Sequence, residues 1–279
     1  MKTTLLETKA KPFLKWAGGK TQLLPEIMKH VPDKIKTYFE PFLGGGAVFF
    51  ELYNRRMFKE AILSDINLEL ILTWRALQFD LDVVISYLQE KKNEKDFFYE
   101  ERSRTYTKMP LPDIAARMIY LNRTCFNGLY RVNKKGGFNV PFGKYKNPTI
   151  CNEPLLRSVQ ECLQKTKAAI LCKDFESIER WLTPSSFVYF DSPYYPLNKT
   201  ANFTNYTPGG FSIEDQERLA AFMFRLKEKN IKALLSNADC KATRSLYNGL
   251  STYTVEARRR INRDATKRGP VSELLVRTY

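Results

Sequence analysis

Asp191-Ser192-Pro193-Tyr194, with Tyr195 behind it, follows the apolar run Phe187-Val188-Tyr189-Phe190. A short β-rich run that ends on an acid and a Pro-bearing turn reads as a buried parallel strand. Such a strand delivers its last side chain into the crevice at the sheet's carboxyl edge, where open α/β sheets hold ligands. The turn supplies two acceptors and a stacking surface: the Asp191 carboxylate, the Ser192 carbonyl that Pro193 keeps out of helical geometry, and the ring of Tyr194. These fit a flat base with an exocyclic amino group, whose two N–H hydrogens meet the acceptors while the base lies on the tyrosine. An ordinary strand-to-loop turn would carry the same residues, so the surrounding elements decide.

Upstream, Thr37-Tyr38-Phe39-Glu40-Pro41-Phe42-Leu43-Gly44-Gly45-Gly46-Ala47 leads into an apolar helix from Val48 to Tyr53. Strand, glycine-rich turn and helix expose backbone N–H groups at a helix N-terminus and can hold a nucleotide-like cofactor. The glycine spacing is not that of the dinucleotide fingerprint, which argues against NAD. A second strand, Ala61 to Asp65, ends on an acid 21 positions after Gly44, a spacing suited to accepting from ribose hydroxyls. The pair favours a nucleoside cofactor over a plain βαβ core. Ala169 to Phe175 reads as a further strand, ending in Asp174 and Phe175 where they would flank the cofactor's adenine ring. Near the N-terminus, Phe13-Leu14-Lys15-Trp16-Ala17-Gly18-Gly19-Lys20 precedes a helix expected from Thr21 to about Lys29. Its glycine pair either lets backbone approach a ligand beside Trp16 and Lys20 or forms a simple turn.

These elements belong to a chain of 279 residues, suited to one large domain or a domain carrying an insertion. Lys+Arg 45 against Asp+Glu 30 gives +15, which implies a polyanionic partner, either nucleic acid or an acidic membrane surface. The five cysteines lack metal spacing or a disulfide framework, so reduced thiols, no metal and a cytoplasmic location are expected. His30 is the single histidine, which excludes most mechanisms built on a histidine base or histidine ligands. No apolar run reaches membrane length, and Met1 to Lys11 has no signal-peptide core.

The middle of the chain departs from α/β alternation. A long helix is expected from Asn67 to about Glu90, a solvated helix over much of Lys91 to Lys108, and a helix from Asp113 to Leu121. Then Asn122 to Lys146 interleaves Arg, Lys and Asn with aromatics, with a hairpin tip at Lys134-Lys135-Gly136-Gly137. Such a segment supplies phosphate contacts, base-edge hydrogen bonds and stacking rings together. After a helix from Glu153 to Lys165 the alternation resumes, with a long polar aromatic loop from Ser192 to Gly210 that could close over the site. Next come a helix capped by Ser212 and Asp215 and running to about Lys229, then a strand from Ile231 to Ser236. Thr252 to Glu256 and Val271 to Val276 read as an antiparallel pair around a run carrying Arg258, Arg259, Arg260, Arg263, Lys267 and Arg268.

In this order the motifs resemble the Dam-type DNA adenine-N6 methyltransferases, the α-group of amino-methyltransferases, from about Phe13 to the C-terminus. The resemblance implies a Rossmann-like α/β sheet that binds S-adenosylmethionine, formed by residues 1–66 and 166–279, with a helical and hairpin DNA-recognition insertion over 67–165. It implies that Trp16, Lys20, Asp65 and Asp191 line the cofactor site, with Glu40 and Asp174 nearby and Ala17, Phe42, Gly44 and Phe175 in the same loops. Asp191, Ser192, Pro193 and Tyr194 stand at the family's D-P-P-Y turn, and the reaction implied is methyl transfer to adenine N6 in double-stranded DNA.

Phe126-Asn127-Gly128-Leu129-Tyr130-Arg131 and Phe138 to Tyr145 are similar to the recognition hairpin of GATC-specific members. By that likeness Lys15 and Arg131 read guanines, Leu129 and Pro141 touch thymine methyls, and Phe126 and Asn127 help open the helix, with Asn139 and Tyr145 in the same element. Lys144 stands where relatives carry arginine, which removes a bidentate contact. Ser192 replaces the first proline; it keeps the carbonyl but gives up rigidity, so a looser turn, slower turnover or a silent DNA-binding paralogue are its implied consequences. A monomer is expected.

Overall fold

A computed structural model of the chain describes residues 8–133, 135–195, 210–258 and 270–279. Its centre is a seven-stranded sheet in the order β3-β2-β1-β4-β5-β7-β6. The strands are β1 (Thr37–Glu40), β2 (Glu60–Asp65), β3 (Ala169–Cys172), β4 (Ser186–Phe190), β5 (Lys232–Ala238), β6 (Ser251–Arg258) and β7 (Pro270–Arg277). β1 to β5 pair in parallel, while β7 runs antiparallel between β5 and β6. The architecture is that of an S-adenosylmethionine-dependent methyltransferase sheet, as the motif order implies.

Side-chain alternation builds two cores. Phe187 and Tyr189 of β4 join Tyr38, Leu63 and Leu234 on one face, whereas Val188 and Phe190 join Phe39 and Leu235 on the other. All five residues of β4 are buried, because this strand has sheet on both sides and helices on both faces. The first face is covered by helices α2 (Ala47–Asn54), α3 (Leu68–Phe79), α6 (Leu111–Thr124) and α7 (Glu153–Lys165), and the second by α8 (Ile213–Glu228). α1 is the short helix Leu24–Met28, preceded by a 3-10 turn at Lys20–Gln22, in place of one continuous helix from Thr21.

The expected helix over 67–90 is two helices. Asp80, with φ −126° and ψ 28°, ends α3 and begins α4 (Leu81–Gln89), its N–H reaching Ala76 O and its carbonyl accepting from Val84 N. Leu81, Val84, Ile85 and Leu88 of α4 are buried, continuing the apolar face of α3 across the break. α5 (Lys95–Ser103) follows; it is not solvated all round, since Phe98 and Glu101 are buried. β3 stops at Cys172 rather than Phe175, because the Asp174 carboxylate accepts from Glu176 N and starts a 3-10 helix over Phe175–Trp181. α8 has the expected reciprocal capping between Ser212 and Asp215, and the antiparallel closing pair forms as expected. A short helix α9 (Lys241–Leu246) was not anticipated. The loop expected to close over the site and the arginine-rich run lie largely outside the described residues, as does Lys134.

Among the described residues no helix is long and apolar enough to cross a membrane, and no group of three His, Cys, Asp or Glu side chains could hold a metal ion.

Candidate active site and nucleic-acid interface

The chain reverses direction across the sheet between β1 and β4, leaving a crevice at their carboxyl ends. β1 ends on Glu40, the adjacent β2 ends on Asp65, and β4 runs directly into Asp191. Three carboxylates separated by up to 151 positions thus reach one edge, from 40 to 191.

Each is held differently. Asp65 accepts from Gly44 N at 3.1 Å and Asn67 N at 2.9 Å, one bond to each oxygen, so lone pairs remain for further donors. Burial pushes its carboxyl up, and the backbone N–H groups oppose the shift. Glu40 is 2% exposed and accepts from Tyr38 Oη at 2.8 Å and Phe49 N at 3.1 Å. Burial raises its pKa well above the usual glutamate range, and the nearby Asp191 carboxylate adds to the shift. Asp191 meets the Lys20 ammonium at 2.5 Å; burial raises its carboxyl and Lys20 opposes that rise. Lys20 also donates to Gly18 O at 2.6 Å and lies 4.8 Å from the centre of the Tyr194 ring.

The glycine turn is shaped for close approach. Gly44 has φ +44°, and a Cβ there would stand 2.7 Å from Cδ1 of the Trp16 indole. Trp74 fixes the turn from below by donating Nε1–H to Gly44 O at 3.2 Å. On the far wall Phe175 stacks with Phe42 at 5.5 Å, and Phe211 closes edge-on against Phe42 at 5.6 Å. Asp174 faces away from this wall in part, accepting from Arg218 at 3.1 Å as well as capping its own turn. An indole packed on a glycine turn, a carboxylate with spare acceptor capacity and a second aromatic wall are groups whose chemistry fits an adenosine-bearing sulfonium.

The turn after β4 is clamped by residues that sequence reading missed. Gln216 of α8 donates to Pro193 O at 2.7 Å, and Asn237 of β5 accepts from Tyr195 N at 2.9 Å. Asn237 Nδ2 in turn donates to Gln216 Oε1 at 3.0 Å, closing the ring of contacts. Both side chains are essentially fully buried. Tyr194 donates its hydroxyl to Glu273 of β7. The turn that carries serine at 192 is thus held by α8, β5 and β7. The signal in the sequence was the polar pair Ser236-Asn237 at the end of an otherwise apolar strand. The Ser192 hydroxyl itself is buried and has no hydrogen-bond partner among the described residues.

Alongside, the basic segment forms a second face. Lys15 N donates to Asn122 Oδ1 at 2.7 Å, and Asn122 Nδ2 returns bonds to Lys15 O at 2.8 Å and Gly128 O at 3.0 Å. Gly128, at φ +64°, admits the Lys15 side chain where a Cβ would stand 2.3 Å from it. Lys15 then reaches the ring of Tyr145 at 4.8 Å. Phe126 and Leu129 project with 51% and 41% exposure, and Asn127 turns the chain with φ +55°. Arg131 is exposed and braced by Asn139, which accepts from its Nε at 2.7 Å. Pro141 and Lys144 are exposed, the former bonding Phe126 N through its carbonyl at 2.8 Å. In place of long hairpin strands there are isolated bridges, Cys125 with Phe142 and Val132 with Phe138. The tip is held by Asn133 Oδ1, which accepts from Lys135 N and Gly137 N.

A methyltransferase sheet with an acid-Ser-Pro-Tyr turn at its switch point, next to an exposed basic and aromatic face, defines a class of enzymes that modify amino groups of nucleic-acid bases. The chain belongs to the D12 class of N6 adenine-specific DNA methyltransferases, whose family pattern matches residues 16–261. It is 44% identical to the Type II methyltransferase M.MjaIII of Methanocaldococcus jannaschii, over 96% of this chain and 99% of the relative. It is 40% identical to the Type II methyltransferase M1.LlaDCHI of Lactococcus lactis subsp. cremoris, over 96% and 95%. Against the DNA adenine methylase of Escherichia coli (strain K12) the identity is 35%, over 96% and 95%. The chain is an S-adenosylmethionine-dependent, adenine-specific DNA methyltransferase, and DNA is its partner.

Proposed function

We propose that this enzyme methylates adenine N6 within GATC in duplex DNA, acting as a monomer in the cytoplasm, with residues 67–165 as the recognition insertion built on α3. The observation that carries the reading is that Lys15, five positions before the Lys20 that pairs with Asp191, packs against the Tyr145 ring and against Gly128, next in the chain to Leu129. Trp16, Ala17, Lys20, Glu40, Phe42, Gly44, Asp65, Asp174 and Phe175 would hold S-adenosylmethionine, which when bound supplies an electrophilic sulfonium methyl.

The target nitrogen shares its lone pair with the purine ring and is a poor nucleophile. Hydrogen bonds from N6 to the Asp191 carboxylate and the Ser192 carbonyl favour a more tetrahedral nitrogen and stabilise the charge that develops on it. Tyr194 stacks on the base, and the Asn237 and Gln216 contacts keep the two acceptors in register. Lys20 yields Asp191 to the amino group as the base enters. The proton shed by the methylated nitrogen is far more acidic than a carboxylic acid, so Asp191 suffices and no histidine base is needed. Because N6 lies inside the duplex the base must leave the stack, at a cost of a few kcal/mol, and the exposed ring of Phe126 with Asn127 fills the space it vacates.

Lys15 and Arg131 read guanine edges, while Leu129 and Pro141 meet thymine methyls. Lys144 contributes a phosphate-directed charge. Transfer of label from S-adenosylmethionine to paired duplexes, one with GATC and one with that site scrambled, tests the reading. Label on GATC alone supports it. Equal label on both removes the recognition roles, and label on neither, with DNA binding intact, removes the role given to the Ser192 turn.

A further inference from the structure

Tyr130 belongs to the recognition segment, between Leu129 and Arg131, yet its side chain points away from the DNA-facing surface and is 9% exposed. Its ring stacks on the Trp16 indole, with centroids 5.1 Å apart and planes 29° from parallel. Trp16 is the same indole that overlies Gly44. The hydroxyl donates to Glu69 Oε2 at 3.0 Å and is also hydrogen-bonded by the Asn67 side chain. Asn67 N in turn donates to Asp65. Glu69 is fixed from the other side by Arg117 Nη1 at 2.6 Å, and both are about 3% exposed. Arg117 also holds α5 through the carbonyls of Glu101 and Arg102, at 2.9 and 3.1 Å. One ring therefore touches the indole wall and, through Asn67, the acid of the cofactor cradle. It also lies one peptide bond from each of two residues assigned to base reading.

We propose that Tyr130 is a positioning residue that couples cofactor binding to target recognition, an inference resting on the recognition roles given above to Leu129 and Arg131. When the indole is pinned by a bound adenosyl group, the Tyr130 ring loses its freedom to slide against Trp16. The backbone carrying Leu129 and Arg131 is then fixed in one register. Without that pinning the ring keeps the Glu69 and Asn67 bonds and its edge contact with Phe138, centroids 5.8 Å apart, but the indole it stacks on lacks the added restraint of the ligand. The coupling is a difference in interaction between two states of one contact, so it acts equally in both directions.

The test measures duplex binding by fluorescence anisotropy with and without saturating S-adenosylhomocysteine, for the full chain and for Tyr130→Leu and Tyr130→Phe. The unaltered chain should bind the GATC duplex about 5- to 150-fold more tightly with S-adenosylhomocysteine, with the same factor on S-adenosylhomocysteine affinity when DNA is added. Tyr130→Leu should bring that factor close to one. Tyr130→Phe, which keeps the ring, should retain most of it and serves as the reading should the leucine variant fail to fold. A factor unchanged in Tyr130→Leu, or lost in Tyr130→Phe as fully as in a variant lacking the ring, overturns the proposal. So does a factor of one in the unaltered chain. Equal binding of GATC and scrambled duplexes would instead strike at the recognition roles themselves.

Discussion

Asn237 Oδ1, on β5, receives the N–H of Tyr195, two residues beyond the proline of the acid-Ser-Pro-Tyr turn. The same amide carries Gln216, whose other end holds Pro193 O. Asn237→Ala strips one acceptor and one donor from a fully buried site, at about 1–3 kcal/mol for each polar group left unsatisfied. The melting temperature should fall. At a temperature where the variant is folded, single-turnover methylation should fall by a larger factor than DNA affinity; parallel losses would mean that the clamp serves stability alone.

Lys20 and Asp191 give a pH signature. Burial holds the Asp191 carboxyl above its ordinary value and the Lys20 ammonium opposes it. In the role proposed for Asp191 the carboxylate form is the active one, so activity should be present above that pKa and be lost as pH falls through it. Lys20→Met removes the opposing charge, and the acid limb of the kcat profile should move to higher pH. An unmoved limb in a variant that still turns over would show that Asp191 does not set it.

Glu40 gives a stability signature of the same physical origin. Its pKa is raised well above the usual range by burial. A carboxyl that binds its proton more tightly folded than unfolded contributes stability fully present below the unfolded pKa and lost as pH rises through the folded one. Glu40→Gln does not titrate, so its melting temperature should gain on that of the unaltered chain as pH rises from the ordinary glutamate value of 4.5 through the raised folded one. A constant difference across that interval would contradict the assignment.

Gly44→Ala places a methyl group 2.7 Å from the Trp16 indole at a left-handed φ of +44°. Strain of roughly 1–3 kcal/mol should displace the indole or the turn. Titration calorimetry with S-adenosylhomocysteine should show weaker binding by about tenfold or more at that strain. Unchanged affinity would place the cofactor elsewhere.

Arg131→Ala should relax discrimination at one base-pair position by about 1–3 kcal/mol while leaving the others intact. Single-turnover rates on duplexes altered one pair at a time check this. Uniform weakening across all sequences would make Arg131 a phosphate contact instead.

Much of the fold was legible because the parallel strands are short apolar runs ending in acids, and their order with the glycine turn leaves few topologies. The break at Asp80 was not, since apolar spacing continues through it and only packing against α6 selects two helices. Likewise the 3-10 turn at Phe175 depends on the Asp174 side chain closing on its own backbone, which competes locally with strand extension. Within the site Asp65 and Asp191 could be read from the sequence as strand-end acids, whereas Glu40 came only from the resemblance. Gln216, Glu69 and Tyr130 could not, because each looks like one more residue of a helix or loop until distant elements bring its partner near, and Asn237 was marked only by its polarity at the end of an apolar strand.

The adjacency of β1 and β4 also bears on how the molecule comes into being. Strand β1, at Thr37–Glu40, has β4, at Ser186–Phe190, as one of its two neighbours, so nearly 150 positions intervene between hydrogen-bonded partners. As the chain leaves the ribosome, β2, the helices around α6 and the recognition loop are all synthesised while that edge of β1 still awaits its mate. The segment proposed to read DNA can be assembled before the proposed reaction crevice exists. Pairing across such a separation is slow and exposes an open strand edge in the interval. Truncated products ending before residue 186 would therefore carry the segment proposed to read DNA without the strand that delivers Asp191.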